Sequence, residues 1–193
     1  DNEFANKPLI VQNWQAFLIA NIYGWKKKDG TRKYTKIYLQ IPRRNSKTTL
    51  SAALSIDNTI IDPSPGSQIL YAATSEEQAS ICFKMTKRMC TAMGELYPKS
   101  FAKICRIFKN SVEFIDTSTV LRPVISDPTG TEGVGIKMCV ADEVHLYKNG
   151  DLLDSIRKGM ASHSNPLLVM ITTAGYNKAP DAPAYQFYEY SKK

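Results

Sequence analysis

The chain has 193 residues, 43% of them hydrophobic and 22% charged, which suits one α/β domain with a buried core and excludes a low-complexity disordered segment. No apolar run approaches the roughly 20 residues that cross a bilayer, and Asp1-Asn2-Glu3 is neither a leader nor an initiator methionine, so a soluble fragment with no membrane partner is expected. The net charge of +7 favours an acidic partner, nucleic acid first, while the four cysteines lack Cys-x-x-Cys spacing and, with only two histidines, argue for reduced thiols in the cytosol rather than a zinc site.

Taken in chain order, the pattern predicts an opening helix over Gln12 to Tyr23, then a basic, turn-like stretch from Lys26 to Lys36 around Asp29-Gly30 that also fits a solvated hairpin. An alternating strand over 35 to 41 leads into Pro42-Arg43-Arg44-Asn45-Ser46-Lys47-Thr48-Thr49, and helical apolar spacing follows through Leu50, Leu54 and Ile61. Strand, basic turn and helix stand in the order of a phosphate-binding loop, in which backbone N–H groups and the helix N-terminus cradle phosphates while a lysine reaches the terminal ones. The two glycines of the general pattern are Ile41 and Ser46 here, so a basic turn that merely caps a helix is the competing interpretation. A β-carbon at Ser46 is expected to restrict backbone approach to the phosphates and weaken nucleotide affinity.

Further along, Asp62-Pro63-Ser64-Pro65-Gly66 is a turn, Ser67 to Ala73 a buried strand and Ser75 to Leu96 a helix with Glu76 and Glu77 in its first turn. Short strands are predicted at 103–108, 111–115 and 119–125, then a mobile glycine-containing loop over 126–135. The apolar strand Ile136 to Ala141 runs into Asp142-Glu143, where one carboxylate can meet Mg²⁺ and the other a water facing the γ-phosphate; alone, such a pair is usually a solvated turn. A helix over Asp151 to Met160 and a buried strand over Pro166 to Ile171 follow, and Thr172-Thr173-Ala174-Gly175 ends that strand either as a γ-phosphate sensor or as a simple turn. Alternating strands and helices imply a three-layer α/β fold with a mainly parallel central sheet flanked by helices, its ligand at the carboxyl ends of the strands. On this basis Lys47 contacts the β- and γ-phosphates of a nucleoside triphosphate, Thr48 and Asp142 hold Mg²⁺, and Glu143 orients water. Arg43 is the first candidate for stabilising γ-phosphate charge in cis, with Arg122 and Arg157 as candidates for a neighbouring subunit's site.

These motifs resemble the N-terminal ATPase domain of the large terminase subunits of tailed double-stranded DNA bacteriophages, over nearly the whole chain. Trp14-Gln15 with Phe17 looks like the family's adenine-contacting element, in which glutamine reads the base. Pro42-Arg43-x-Asn45-Ser46-Lys47-Thr48 resembles its variant Walker A, which begins with arginine and often lacks the first glycine; Val140-Ala141-Asp142-Glu143 resembles Walker B and Thr172-Thr173-Ala174-Gly175 the coupling motif. The resemblance implies a RecA/ASCE-like P-loop ATPase occupying residues 1–193 as a single domain, with Gln15 and Arg43 to Thr49 binding nucleotide. It further implies a packaging motor that drives double-stranded DNA into a procapsid in the host cytoplasm, as a homo-oligomeric ring with a portal protein and a small terminase subunit. The family's C-terminal nuclease is expected to be absent from this fragment. Two other interpretations remain open at this stage: a helicase-like DExH translocase, from Asp142-Glu143-Val144-His145, and a nucleotide-inactive DNA- or protein-binding scaffold, from Ser46.

Overall fold

In the computed structural model of the chain, residues 8–125, 135–173 and 179–192 are described. The chain divides after Thr35 into two compact units. The first contains helix α1 (Asn13–Gly24), closed at its N-terminus by a reciprocal box in which the Gln15 side chain accepts from the backbone N–H of Gln12. The basic stretch behind it is a hairpin, with a Lys26–Arg32 bridge and Asp29 accepting from both the N–H and the hydroxyl of Thr31. Its basic character is not uniformly solvated, however. Arg32 is buried and its guanidinium lies 5.5 Å from the centre of the Tyr23 ring, so this charge is spent inside the unit.

The second unit is built on a seven-stranded sheet in the order β1-β7-β6-β2-β5-β4-β3, comprising β1 (Lys36–Gln40), β2 (Gln68–Ala73), β3 (Cys105–Ile107), β4 (Val112–Phe114), β5 (Thr119–Ile125), β6 (Ile136–Ala141) and β7 (Leu167–Thr172). Strands β1, β7, β6, β2 and β5 run parallel, and β4 and β3 add an antiparallel edge. All six residues of both β6 and β7 are buried, as a parallel strand covered on two faces requires. On one face Leu70, Ala72, Cys139, Ala141, Leu168 and Met170 pack with Leu152, Leu153, Ile156 and Met160 of α5 (Asp151–Met160). From the other face Tyr71 reaches α3 (Glu76–Leu96), where its hydroxyl meets Thr86 Oγ1 at 2.8 Å and its ring tilts against Phe83.

Local chemistry explains the helix boundaries. Ser75 caps α3 by accepting from Gln78 N–H, and two glutamates occupy its first turn, complementing the helix dipole. Helix α2 (Lys47–Ile60) buries Ser51, Ser55 and Thr59 with their hydrogen bonds satisfied, because each hydroxyl donates to the carbonyl four residues earlier. Two departures from the sequence-based layout are local. Where the pattern predicts a strand from Lys103, a helical turn α4 (Phe101–Ile104) comes first, since Phe101 is buried edge-on against Phe114 and pins that turn to the sheet. The pattern also gives no sign of a terminal helix, α6 (Pro183–Ser191), whose Phe187 stacks on Tyr38 of β1 at 5.6 Å.

Candidate nucleotide site

The order β1-β7-β6 sets the carboxyl ends of three parallel strands side by side, and each carries one of the sequence motifs. Ile41 N–H donates to Thr172 O at 3.0 Å, tying the start of the basic loop to the end of β7. From there Pro42 to Ser46 turns into α2, stapled by Asn45, whose amide donates to the carbonyls of Pro42 and Arg43. Arg43, Arg44, Asn45 and Ser46 are exposed, while Lys47, Thr48 and Thr49 are half-buried at the first turn of α2. Arg44 and Ser46 both adopt left-handed backbone, at φ 65° and 52°.

Lys47 Nζ donates to Ile41 O at 3.3 Å and lies 3.9 Å from Glu143 Oε1, so the loop cation and the second acid of the strand-end pair face one another. Glu143 also has positive φ, 48°. Asp142 caps this turn by accepting Glu143 N–H at 2.9 Å, and its own N–H is held by Ala72 O at the end of β2. The buried Tyr147 hydroxyl donates to the same carbonyl, clamping the whole turn to the sheet. Burial raises the Asp142 pKa above the ordinary carboxylate value, and the adjacent Glu143 charge adds to this, against the opposing pull of Glu143 N–H, Lys47 and His145. A carboxylate so desolvated gains from a bound cation.

A family model described as the ATPase domain of the terminase large subunit matches residues 13–193, spanning both units. This chain belongs to that family. The terminase large subunit of Enterobacteria phage HK97 is 25% identical over 185 residues, covering 93% of this chain and 34% of its own length. That of Lactococcus phage p2 is 25% identical over 144 residues, 74% of this chain and 26% of its own. The chain thus spans about a third or less of the length of these curated relatives. The solved HK97 large terminase superposes with a TM-score of 0.78 at 24% identity, over 97% of this chain and 38% of that one. The large terminase of a thermophilic bacteriophage, solved in complex with ADP, gives 0.62 at 14% identity, over 84% and 39%. These likenesses establish the three-layer α/β fold expected from the strand pattern and the P-loop ATPase form of it that the resemblance implies.

Within this terminase ATPase domain the structure brings Lys47, Glu143 and Thr172 together, with Asp142 and Thr48 on the elements that flank them. The fully buried Thr172 is hydrogen-bonded, whereas Thr173 is half-buried; Ala174 and Gly175 lie outside the described residues, as does the 126–134 part of the expected loop. Gln15 is buried and uses its carbonyl to cap α1. Arg157 is engaged locally, by Asp154 at 2.7 Å and over the Phe187 ring, and Arg122 Nε donates to Gln68 Oε1 at 2.7 Å within the sheet. In the sequence His145 is only the last letter of a DExH spelling, yet in the structure it touches both Glu143 and Thr172. Among the described residues no group of three or more His, Cys, Asp or Glu gathers to hold a metal by protein ligands alone. One desolvated carboxylate and one hydroxyl suit Mg²⁺, which takes few protein ligands and completes its shell with phosphates and water.

Ser46 explains why glycine is usual at its position: φ 52° costs an L-residue roughly 1–2 kcal/mol. Ser46→Gly removes that strain but adds freedom to the unfolded chain, so stability should change by less than about 1 kcal/mol. Nucleotide binding should hold or tighten as the β-carbon leaves. Weaker binding in a calorimetric titration would instead show that the serine hydroxyl itself holds the nucleotide.

Proposed function

We propose that this chain is the motor of a viral DNA-packaging terminase, coupling hydrolysis of Mg²⁺-ATP to translocation of double-stranded DNA into a procapsid. The observation that carries this proposal is the placement of Lys47, Glu143 and Thr172 beyond or at the carboxyl ends of three adjacent parallel strands, with Lys47 3.9 Å from Glu143 and Thr172 O bonded to Ile41 N–H. The N-terminus of α2 and the loop from Arg43 to Thr49 receive the phosphates, with Lys47 leaving its Ile41 carbonyl to reach the β- and γ-phosphates. Arg43, exposed in the loop, balances γ-phosphate charge. Glu143 orients the attacking water and accepts its proton as the bond from the γ-phosphorus to the bridging oxygen breaks, giving ADP and phosphate. Thr48 and Asp142 would hold Mg²⁺, which supplies charge neutralisation to the phosphates when bound. The side-chain amide N–H groups of Gln15 are the atoms proposed to read adenine. Thr172 to Gly175 would report the state of the γ-phosphate to the rest of the motor.

The ADP found in the thermophilic-phage relative supports nucleotide use on this fold. The net charge of +7 suits a polyanionic track, and among the described residues no helix is long and apolar enough to cross a membrane. The whole motor is proposed to act as one P-loop domain per subunit of a homo-oligomeric ring, with portal protein and a small terminase subunit, in the cytoplasm of the infected host. The test is ATP hydrolysis by the full-length subunit with and without double-stranded DNA, alongside uptake of DNA into procapsids. DNA-stimulated hydrolysis together with nuclease-protected DNA is the expected result; hydrolysis that neither responds to DNA nor drives uptake would overturn the motor assignment.

A further inference from the structure

The end of β7 is wired to the strand-end acids through a residue outside the P-loop machinery. His145, in the 3-10 turn Val144–Leu146 that follows Glu143, places Nδ1 2.9 Å from Thr172 Oγ1 and 3.2 Å from Glu143 Oε2. Its backbone N–H reaches the same threonine hydroxyl at 3.2 Å. Thr172 Oγ1 also lies 2.9 Å from Thr173 O, and with its one hydrogen on that carbonyl it accepts toward His145. In that arrangement Nδ1 carries the proton and directs it at the threonine. Glu143 Oε2, buried and without a directed hydrogen bond of its own, lies 3.2 Å from the same nitrogen. On the opposite side of the carboxylate, Oε1 faces Lys47 at 3.9 Å.

We infer that His145 is a positioning residue that holds Glu143 in line for water activation and links its orientation to the terminus of β7. The inference rests on Glu143 being the base proposed above. Glu143 sits on a left-handed backbone in a turn, with its two oxygens facing two different cations or donors. When a γ-phosphate draws Lys47 away from Oε1, the Nδ1–H contact is what keeps the carboxylate from swinging with it. Because the same Nδ1–H is anchored on a wholly buried threonine, movement of Thr172 shifts His145 and, through it, the base. Any displacement of β7 thereby changes the rate at which the site can fire.

The experiment uses the full-length subunit with DNA, measuring single-turnover and steady-state hydrolysis at saturating Mg²⁺-ATP together with nucleotide Kd. His145→Ala is expected to lower kcat by about 10²-fold, the scale of a misplaced catalytic group, with Kd within about threefold of wild type. His145→Asn puts an amide N–H where Nδ1–H was and should recover at least roughly a tenth of wild-type kcat, whereas His145→Gln, whose amide matches Nε2 instead, should stay close to alanine. Thr172→Val should resemble His145→Ala, and the double variant should be little worse than either single one because both break one linkage. Equal rates for the Asn and Gln variants, additive losses in the double variant, or a loss carried by Kd would each overturn the inference; melting curves confirm that the variants compared are folded. A folded, active wild type alongside an equally active Glu143→Gln would overturn the base assignment itself. An inactive Glu143→Gln with a fully active His145→Ala would overturn the positioning role alone.

Discussion

Glu143→Gln should abolish turnover while leaving Mg²⁺-ATP binding intact. A positioned general base is worth about 10²–10⁴ in rate, and glutamine keeps the shape and the hydrogen-bond acceptor but cannot take a proton. Binding should even tighten modestly, for an electrostatic reason. In the free protein Glu143 Oε1 lies 3.9 Å from Lys47 Nζ, so the carboxylate competes with the incoming phosphates for that cation and repels their charge. Removing its charge removes both penalties, and relieves Asp142 of the like-charged neighbour that, after burial, contributes to its raised pKa. The check is a paired measurement on one sample, hydrolysis rate and calorimetric Kd. Wild-type turnover would sink the base assignment, and lost binding would place Glu143 among the nucleotide ligands instead.

How much of the fold and site is legible in the sequence depends on the range of the interaction concerned. The βα order, the largely apolar strands 68–73 and 136–141, and the acid-terminated β6 are local patterns, and each stands within a residue or two of its expected bounds. The Ser75-Glu76-Glu77 start of α3 is equally local, since a cap and a dipole act over one turn. The adjacency of β1 and β7 is different. These strands lie far apart in the chain, and only the strand order reveals that Ile41 bonds Thr172 and that Lys47 faces Glu143. The contact of His145 with Thr172 is hidden for the same reason, because the two lie 27 residues apart, one in the turn after β6 and the other at the end of β7. Charge counting misleads most where burial intervenes: Arg32, in the basic stretch, and Lys137, within the apolar run of β6, are both buried, Lys137 at a register shift where it pairs with Asp62 at 3.0 Å. Backbone strain is also beyond sequence. Arg44, Ser46 and Glu143 are three of the four non-glycine residues with positive φ among those described, and all three lie in the two phosphate-site motifs.

Lys47→Ala should fail in the opposite way to Glu143→Gln, losing affinity as well as rate. One charge-assisted hydrogen bond to a phosphate is worth about 1.5–3 kcal/mol, so Kd should rise by about 10- to 100-fold. The same cation follows the charge that builds on the γ-phosphoryl oxygens as the bond breaks, and removal of such a group costs a further factor of about 10²–10³ in kcat. Stability should barely suffer. The Lys47 side chain is only 11% exposed, but its amine is held by a single carbonyl contact at 3.3 Å and a long ion pair at 3.9 Å, and it is no part of the buried apolar cluster. The substitution does leave Glu143 without the Lys47 ion pair, with His145 Nδ1 still 3.2 Å from Oε2. Titration of a non-hydrolysable Mg²⁺-ATP analogue into wild type and variant, with melting curves on the same material, separates these effects. A folded Lys47→Ala protein that binds as tightly as wild type would remove the phosphates from this loop. If it bound weakly yet turned over at the wild-type rate when saturated, Lys47 would be a ground-state ligand only, and the transition-state charge would fall to Arg43.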